Sequence, residues 1–166
     1  MKITKKELEI LEILEKDARL TAADLSKMIG EGEEETKAMI QRLEEAKVLV
    51  HYTALVDWSK VEARERVTAM IDVKVTPKRG VGFNETAERI YRFKEVSSVY
   101  LMSGAYDLSV TVEGQSMNEV ARFVSEKLSV LDSVVSTTTH FQLKKYKHDG
   151  IIFEEKQSDN RIVVSP

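Results

Sequence analysis

Two short helical patterns separated by a pair of glycines constrain this chain more than any other stretch. They occupy residues 21–46, TAADLSKMIGEGEEETKAMIQRLEEA. Thr21 and Asp24 have the spacing of a capping box, which starts a helix. Ala22, Leu25, Met28 and Ile29 then recur at helical spacing, and Gly30 and Gly32 interrupt the pattern. Thr36, Ile40, Leu43 and Lys47 mark one face of a following helix over about 33–46. Two helices joined by a tight glycine-bearing turn are the unit that presents a recognition helix to the major groove of DNA. A preceding helix from Thr4, with Glu7 completing a second capping box, runs to about Asp17 behind a stripe of Leu8, Leu11 and Leu14, with Ile10 and Ile13 beside it. Together these make a three-helix unit.

Charge complicates that reading. Residues 1–64 hold 8 Lys and 3 Arg against 3 Asp and 11 Glu, whereas residues 65–166 balance at 14 against 14. The DNA-reading half is thus the acidic half, and one copy should hold phosphate weakly. Binding through several linked copies offsets this. The absence of cysteine excludes disulfides, thiolate metal sites and cysteine nucleophiles. No apolar run has membrane-spanning length, and the lysine-rich start lacks a signal-like core, so a cytoplasmic protein with no membrane partner is expected.

Residues 48–57, VLVHYTALVD, have the β-branched and aromatic content of a strand, serving as a wing or as a ribbon that pairs with a second copy. The polar stretch WSKVEARER follows. From Val67 the period changes: Val67, Ala69, Ile71, Val73 and Val75 alternate with polar neighbours, a half-buried strand. Pro77–Gly82 ends it, and Asn84 is placed to cap a helix carrying Ala87, Ile90, Tyr91 and Lys94 on one face. Strands follow at 96–102 and 108–112, then a helix opened by Ser116 and Glu119 with Val120, Phe123, Val124, Leu128 and Leu131 on its apolar side, and a last strand at 134–143. The order β-α-β-β-α-β is that of a ferredoxin-like sandwich. The fold class is therefore α+β: an N-terminal three-helix, winged helix-turn-helix followed by a ferredoxin-like sandwich. Its parts are residues 1–50, a strand or linker at 51–66, the sandwich at 67–145 and a tail at 146–166. One face of such a sheet carries helices, and the other needs a further cover, commonly a second subunit. The tail begins with Lys144, Lys145, Lys147 and His148, is broken at Gly150, and ends with Ile162-Val163-Val164, read as an edge strand or as a disordered end.

The stretches EILEILEKDARLTAADLSKMIG, RLEEAKVLVHYTALVD, VYLMSGAYDLSV and STTTHFQL, in this order and spacing, resemble the Lrp/AsnC (feast/famine) family of transcription regulators over roughly residues 3–145. The resemblance implies a DNA-binding module and a small-molecule-sensing, dimerising module that responds to an amino acid, with dimers assembling into tetramers or octamers. The chain departs from the family pattern at Gly32, where a serine is usual, and at Met39, where an arginine is usual; Arg42, Leu43 and Glu44 match it.

With Thr36, Ile40 and Leu43 turned inward, a step of ~100° per residue sends Glu34, Ala38, Gln41, Arg42 and Glu45 outward, with Glu35 and Lys37 beside them. Glu34, Lys37, Ala38, Gln41 and Arg42 are the candidate DNA-binding residues. Glutamate can accept from cytosine, glutamine can pair with adenine, and arginine with guanine or phosphate. Equally, Glu33, Glu34 and Glu35 suit the positive end of the helix dipole without touching DNA. In the turn Met102, Ser103, Gly104, Ala105, Tyr106 and Asp107, glycine permits backbone amides to approach a carboxylate, and Asp107 offers a counter-ion for an ammonium group. Spacing alone reads this as an ordinary hairpin turn. The resemblance makes it the effector cleft, shared with the last strand, where Thr137 and Thr139 point to one side and offer hydroxyls to a ligand or simply favour a strand.

His51, His140 and His148 lack ligand spacing, so no metal and no cofactor are expected, and no phosphate loop, nucleophile elbow or dinucleotide fingerprint is present. The reading is a DNA-binding regulator and not an enzyme. Two alternatives stand beside it: an enzyme resembling the siroheme decarboxylases on the same scaffold, with His51 or His140 at a cleft, and a protein-interaction module whose acidic helix meets protein.

Overall fold

The computed structural model describes residues 2–61, 66–77 and 82–153. The chain divides into two compact units, residues 1–56 and 57–166.

In the first unit, α1 (Lys5–Lys16), α2 (Ala22–Ile29) and α3 (Glu33–Glu45) pack around Ile10, Leu14, Leu25, Ile29 and Leu43. Both expected capping boxes form, Thr4 with Glu7 and Thr21 with Asp24, each pairing orphan amides at a helix start. α2 stops where Gly30 adopts φ +69, a left-handed cap that costs glycine nothing. α3 opens after Gly32 without a side-chain cap. Its Thr36 is buried instead and turns its hydroxyl back to Gly32 O at 2.8 Å.

The strand expected over residues 48–57 is absent: the segment is irregular, with Val50 75% exposed. A strand needs a neighbour for its amides and carbonyls, and a single chain brings none to this segment. Leu49 packs on the helical core, and the Tyr52 hydroxyl donates to Glu44 Oε1 at 2.8 Å. Burial and the Glu44 carboxylate push the Tyr52 phenol up to about 12.

The second unit opens with a short 3-10 turn at Trp58–Lys60. It contains β1 (Val67–Val75), α4 (Asn84–Tyr91), β2 (Val96–Leu101), β3 (Leu108–Gly114), α5 (Met117–Phe123, continuing as a π turn to Leu128) and β4 (Val134–Phe141). The strands pair antiparallel in the order β2-β3-β1-β4, the sheet of a ferredoxin-like sandwich. Alternation assigns the faces: Ile71, Val73, Val75, Leu108, Val110 and Val112 meet Ile90, Phe123 and Leu128 from the helices and Leu131 from the turn before β4. Met70, Asp72 and Tyr100 lie on the opposite face, with Met70 and Tyr100 exposed.

Several local expectations change. Asn84 is the first helical residue rather than the cap, and Phe83 precedes it with no side-chain cap bond. Tyr91 and Lys94 are exposed, and the buried face of α4 is Thr86 and Ile90, with the Thr86 hydroxyl 2.8 Å from that of Ser133. Ser116 accepts from Glu119 N, but the Glu119 carboxylate takes Gln115 N at 2.6 Å, so the capping box is only half formed. The basic run that Gly150 was expected to break is a two-stranded hairpin, β5 (Lys147–His148) with β6 (Ile151–Ile152). Asp149 and Gly150, at φ 45 and 78, form its turn, which is the two-residue geometry that Asp-Gly favours. Ile162-Val163-Val164 lies outside the described residues.

Ile71 is wholly buried at the centre of the sandwich core. Its replacement by alanine is expected to cost about 2–5 kcal/mol, read from a denaturant melt of the full chain.

Candidate nucleic-acid interface and effector turn

One carboxylate on α1 joins the packed core in positioning the recognition helix. Glu7 Oε2 accepts from Thr4 N at 2.8 Å and from the Thr4 hydroxyl at 3.0 Å, which closes the α1 cap. Glu7 Oε1 receives Arg42 Nε at 2.6 Å, and a second guanidinium nitrogen makes an ion pair with the same oxygen. Glu7 has no exposed surface, while the Arg42 side chain keeps half of its own. A buried carboxylate is costly unless it is both paired and hydrogen-bonded, and here it is both. The Arg42 guanidinium, then the Thr4 amide and hydroxyl, outweigh burial and hold the Glu7 carboxyl down to about 2. Sequence reasoning placed Arg42 outward on the helix wheel. Arg42 is exposed as that phase expects, and its guanidinium also reaches Glu7 on α1.

The remaining candidates Glu34, Lys37, Ala38 and Gln41 are exposed. Lys37 Nζ lies 2.8 Å from both Glu33 and Glu34, whose carboxylates hold the ammonium well above its ordinary range. Gln41 donates to Glu45 at 2.8 Å. Exposed helical pairs of this kind are screened by water and contribute little, so they exchange readily for contacts with a ligand. Beside this row a hollow of about 410 Å³ opens between Leu20, Lys37, Ile40, Gln41 and Tyr52. The partnership of Glu7 with Arg42 was not foreseen. The signal available was a capping-box glutamate on a helix whose inner face is otherwise apolar.

In the second unit the β2–β3 turn is anchored by Asp107. Its carboxylate accepts Val75 N at 2.9 Å, its own amide donates to Val73 O at 3.0 Å, and its carbonyl accepts Met102 N at 2.8 Å. Met102, Ser103, Gly104 and Ala105 stay exposed, with Tyr106 half-buried, and Gly104 takes φ +156, which side-chain-bearing residues rarely adopt. Asp107 therefore has a structural task as well as a negative charge to offer. Leu108, Val73 and Thr137 form one row across β3, β1 and β4, which puts Thr137 two strand spacings, roughly 10 Å, from the turn. Thr139 lies one row further, opposite Ile71. Both threonines share the helix-covered face, and the Thr137 hydroxyl sits 3.4 Å from that of Ser129.

These two units correspond to two family models: a winged helix-turn-helix DNA-binding model matches residues 3–50, and the Lrp/AsnC ligand-binding-domain model matches residues 68–152. The chain belongs to the Lrp/AsnC family of transcription regulators. It is 65% identical over 166 residues, the whole of both chains, to the HTH-type transcriptional regulator YugG of Bacillus subtilis strain 168. It is 27% identical to a proline dehydrogenase transcriptional activator of Rhizobium radiobacter, over 87% of this chain and 92% of that one. Among solved structures, the L-Met complex of a Neisseria meningitidis transcriptional regulator shares the fold with a TM-score of 0.70 at 24% identity, over 89% of this chain and 94% of that one. Escherichia coli AsnC does so with a TM-score of 0.69 at 20% identity, over 89% and 97%. As an Lrp/AsnC member, this chain is a transcription regulator with a DNA-binding and a ligand-binding domain. Among the described residues no helix is long and apolar enough to cross a membrane, and no group of three metal-ligating side chains converges.

The low pKa of Glu7 has a consequence for stability. The group is held below its unfolded value of 4.5, so its contribution is fully present above that pH and is lost as pH falls from about 4.5 toward 2. The helix-turn-helix unit is expected to lose helicity over that window in an acid titration followed by circular dichroism. Glu7→Gln should be less stable at neutral pH and should flatten this part of the profile.

Proposed function

We propose that this regulator binds operator DNA as a dimer or larger assembly through α3, and that an amino acid or closely related metabolite at the β2–β3 turn tunes that binding. Glu34, Lys37, Ala38 and Gln41 face the groove, while Arg42, half exposed on the same side, positions the helix by pairing with Glu7. The ligand's α-carboxylate meets the exposed backbone at Ser103–Ala105, and its ammonium meets the charge of Asp107. Thr137 and Thr139 supply hydroxyls from the last strand of a neighbouring copy.

The observation that carries this reading is the anchored turn. Asp107 fixes both ends, so Met102–Ala105 form a rigid, exposed rim containing a glycine, which is what backbone recognition of a carboxylate requires. The L-Met bound to the Neisseria regulator supports an amino acid as the ligand class. The uncovered sheet face with Met70 and Tyr100, and the unpaired strand-like segment 48–56, support a second copy as the partner. Ligand binding that differs between assembled states shifts their populations and so the spacing of paired recognition helices.

The experiment is electrophoretic retardation of the DNA upstream of the regulator's own gene, with and without each of the twenty amino acids. Specific, salt-sensitive retardation that changes at least several-fold with one or a few amino acids is expected. Gly104→Val should abolish the ligand effect while DNA binding persists. Retardation indifferent to every amino acid would sink the effector assignment, and no specific retardation at moderate salt would sink the DNA assignment.

A further inference from the structure

The chain leaves the recognition helix along a closely fixed path. Lys47 takes φ 55, a left-handed conformation that side-chain-bearing residues disfavour. Around it, Lys47 N donates to Glu44 O at 3.0 Å, and Val48 N and Leu49 N donate to Leu43 O at 3.0 and 3.1 Å. These bonds satisfy carbonyls at the end of α3 and reverse the chain, after which Leu49 packs on the helical core.

Past Leu49 the main chain has no such hold: among the described residues, no backbone hydrogen bond involves positions 50–56. One side chain reaches back instead. The Tyr52 hydroxyl donates to Glu44 Oε1 at 2.8 Å, and its ring forms a wall of the hollow that Leu20 and Ile40 also line. The phenol, pushed up to about 12, keeps its proton at neutral pH and goes on donating to the carboxylate. Glu44 stands in the last turn of α3, where the helix dipole disfavours negative charge, and the tyrosine donor offsets that penalty. Tyr52 is thus the last point at which the segment is tied to α3, and every residue of this set lies in the first unit.

We infer that Tyr52 is a positioning residue for operator recognition: its bond to Glu44 locks the exit segment onto α3. The lock fixes the separation of two recognition helices once two copies pair through residues 48–56. The inference rests on the reading of this chain as a regulator that binds operator DNA as paired copies, and it adds the contact that makes the pairing rigid. Without the bond, each recognition helix pivots on the segment behind Leu49, and the position of its counterpart is no longer determined. A partly exposed hydrogen bond contributes modestly to folding, and Tyr52 keeps 41% of its surface, so its loss registers in geometry before stability.

The test uses the full chain and the upstream duplex that the unaltered protein retards. Versions of that duplex are lengthened stepwise between the half-sites by up to roughly 5 base pairs, about half a helical turn. Affinity for each is measured by fluorescence anisotropy, and assembly state by sedimentation velocity. The unaltered protein is expected to prefer one separation. Tyr52→Phe and Glu44→Ala should each flatten that preference several-fold, and the double variant should go no further than either alone. Glu44→Gln keeps an acceptor for the hydroxyl and should keep the preference. An unchanged preference in Tyr52→Phe would overturn the proposal. So would equal weakening at every separation, the sign of a bond that only stabilises the fold, and so would losses that add in the double variant. A changed assembly state in Tyr52→Phe would count against it equally, since Tyr52 would then belong to the contact between copies. Uniform binding of the unaltered protein to all separations would overturn the positioning role alone, whereas no specific binding to any of them would end the DNA-binding reading beneath it.

Discussion

A single buried carboxylate ties the first helix of the DNA-binding unit to its recognition helix. Glu7 closes the start of the first helix with one oxygen and holds Arg42 of the recognition helix with the other. The helix-turn-helix core beneath it is small, five buried aliphatic side chains, and aliphatic packing is not directional. The ion pair adds direction by tying a fixed point on α1 to a fixed point on α3. The cost of burying Glu7 is offset only while Arg42 and Thr4 stay in place, so loss of any one partner exposes the full penalty.

That arrangement explains an otherwise awkward charge pattern. The Arg42 guanidinium pairs with Glu7 while half of its side chain stays exposed, and Lys37 lies against its neighbouring glutamates. What remains outward is an acidic, amide-bearing surface suited to base edges more than to phosphates. Taken alone, such a helix holds phosphate weakly. The ligand-binding unit has a sheet with one helix-covered face and an anchored turn at its end.

The sequence made the architecture legible because its periodicities are clean. Val67 to Val75 alternate with Met70 as the one apolar exception, two capping boxes open their helices, and Gly30 stands where α2 must stop. Residues 48–57 misled because strand propensity describes a side-chain preference, while a strand exists only beside a partner. The hairpin at 147–152 has its own sequence signal in Asp149-Gly150, set inside a basic run whose composition says nothing of a turn. Helical phase puts Arg42 on the exposed side, where it lies, but does not show its pairing with Glu7, because phase fixes only the direction of Cβ and an arginine reaches well past it. Thr137 and Thr139 were correctly read as sharing a side, but only the register opposite Val73 and Ile71 could say which face that was.

The central claim is that Glu7 and Arg42 act as one positioning unit for the recognition helix. The most direct measurement is operator affinity through the cycle of Glu7→Gln, Arg42→Gln and the double variant. The account predicts that Arg42→Gln alone weakens binding most, because it strands the buried charge. It further predicts that the double variant recovers part of the loss, and that the salt slope stays at the unaltered value throughout. Additive losses, together with a fall of about one in the salt slope whenever Arg42 is replaced, would show that Arg42 touches phosphate and would contradict the account.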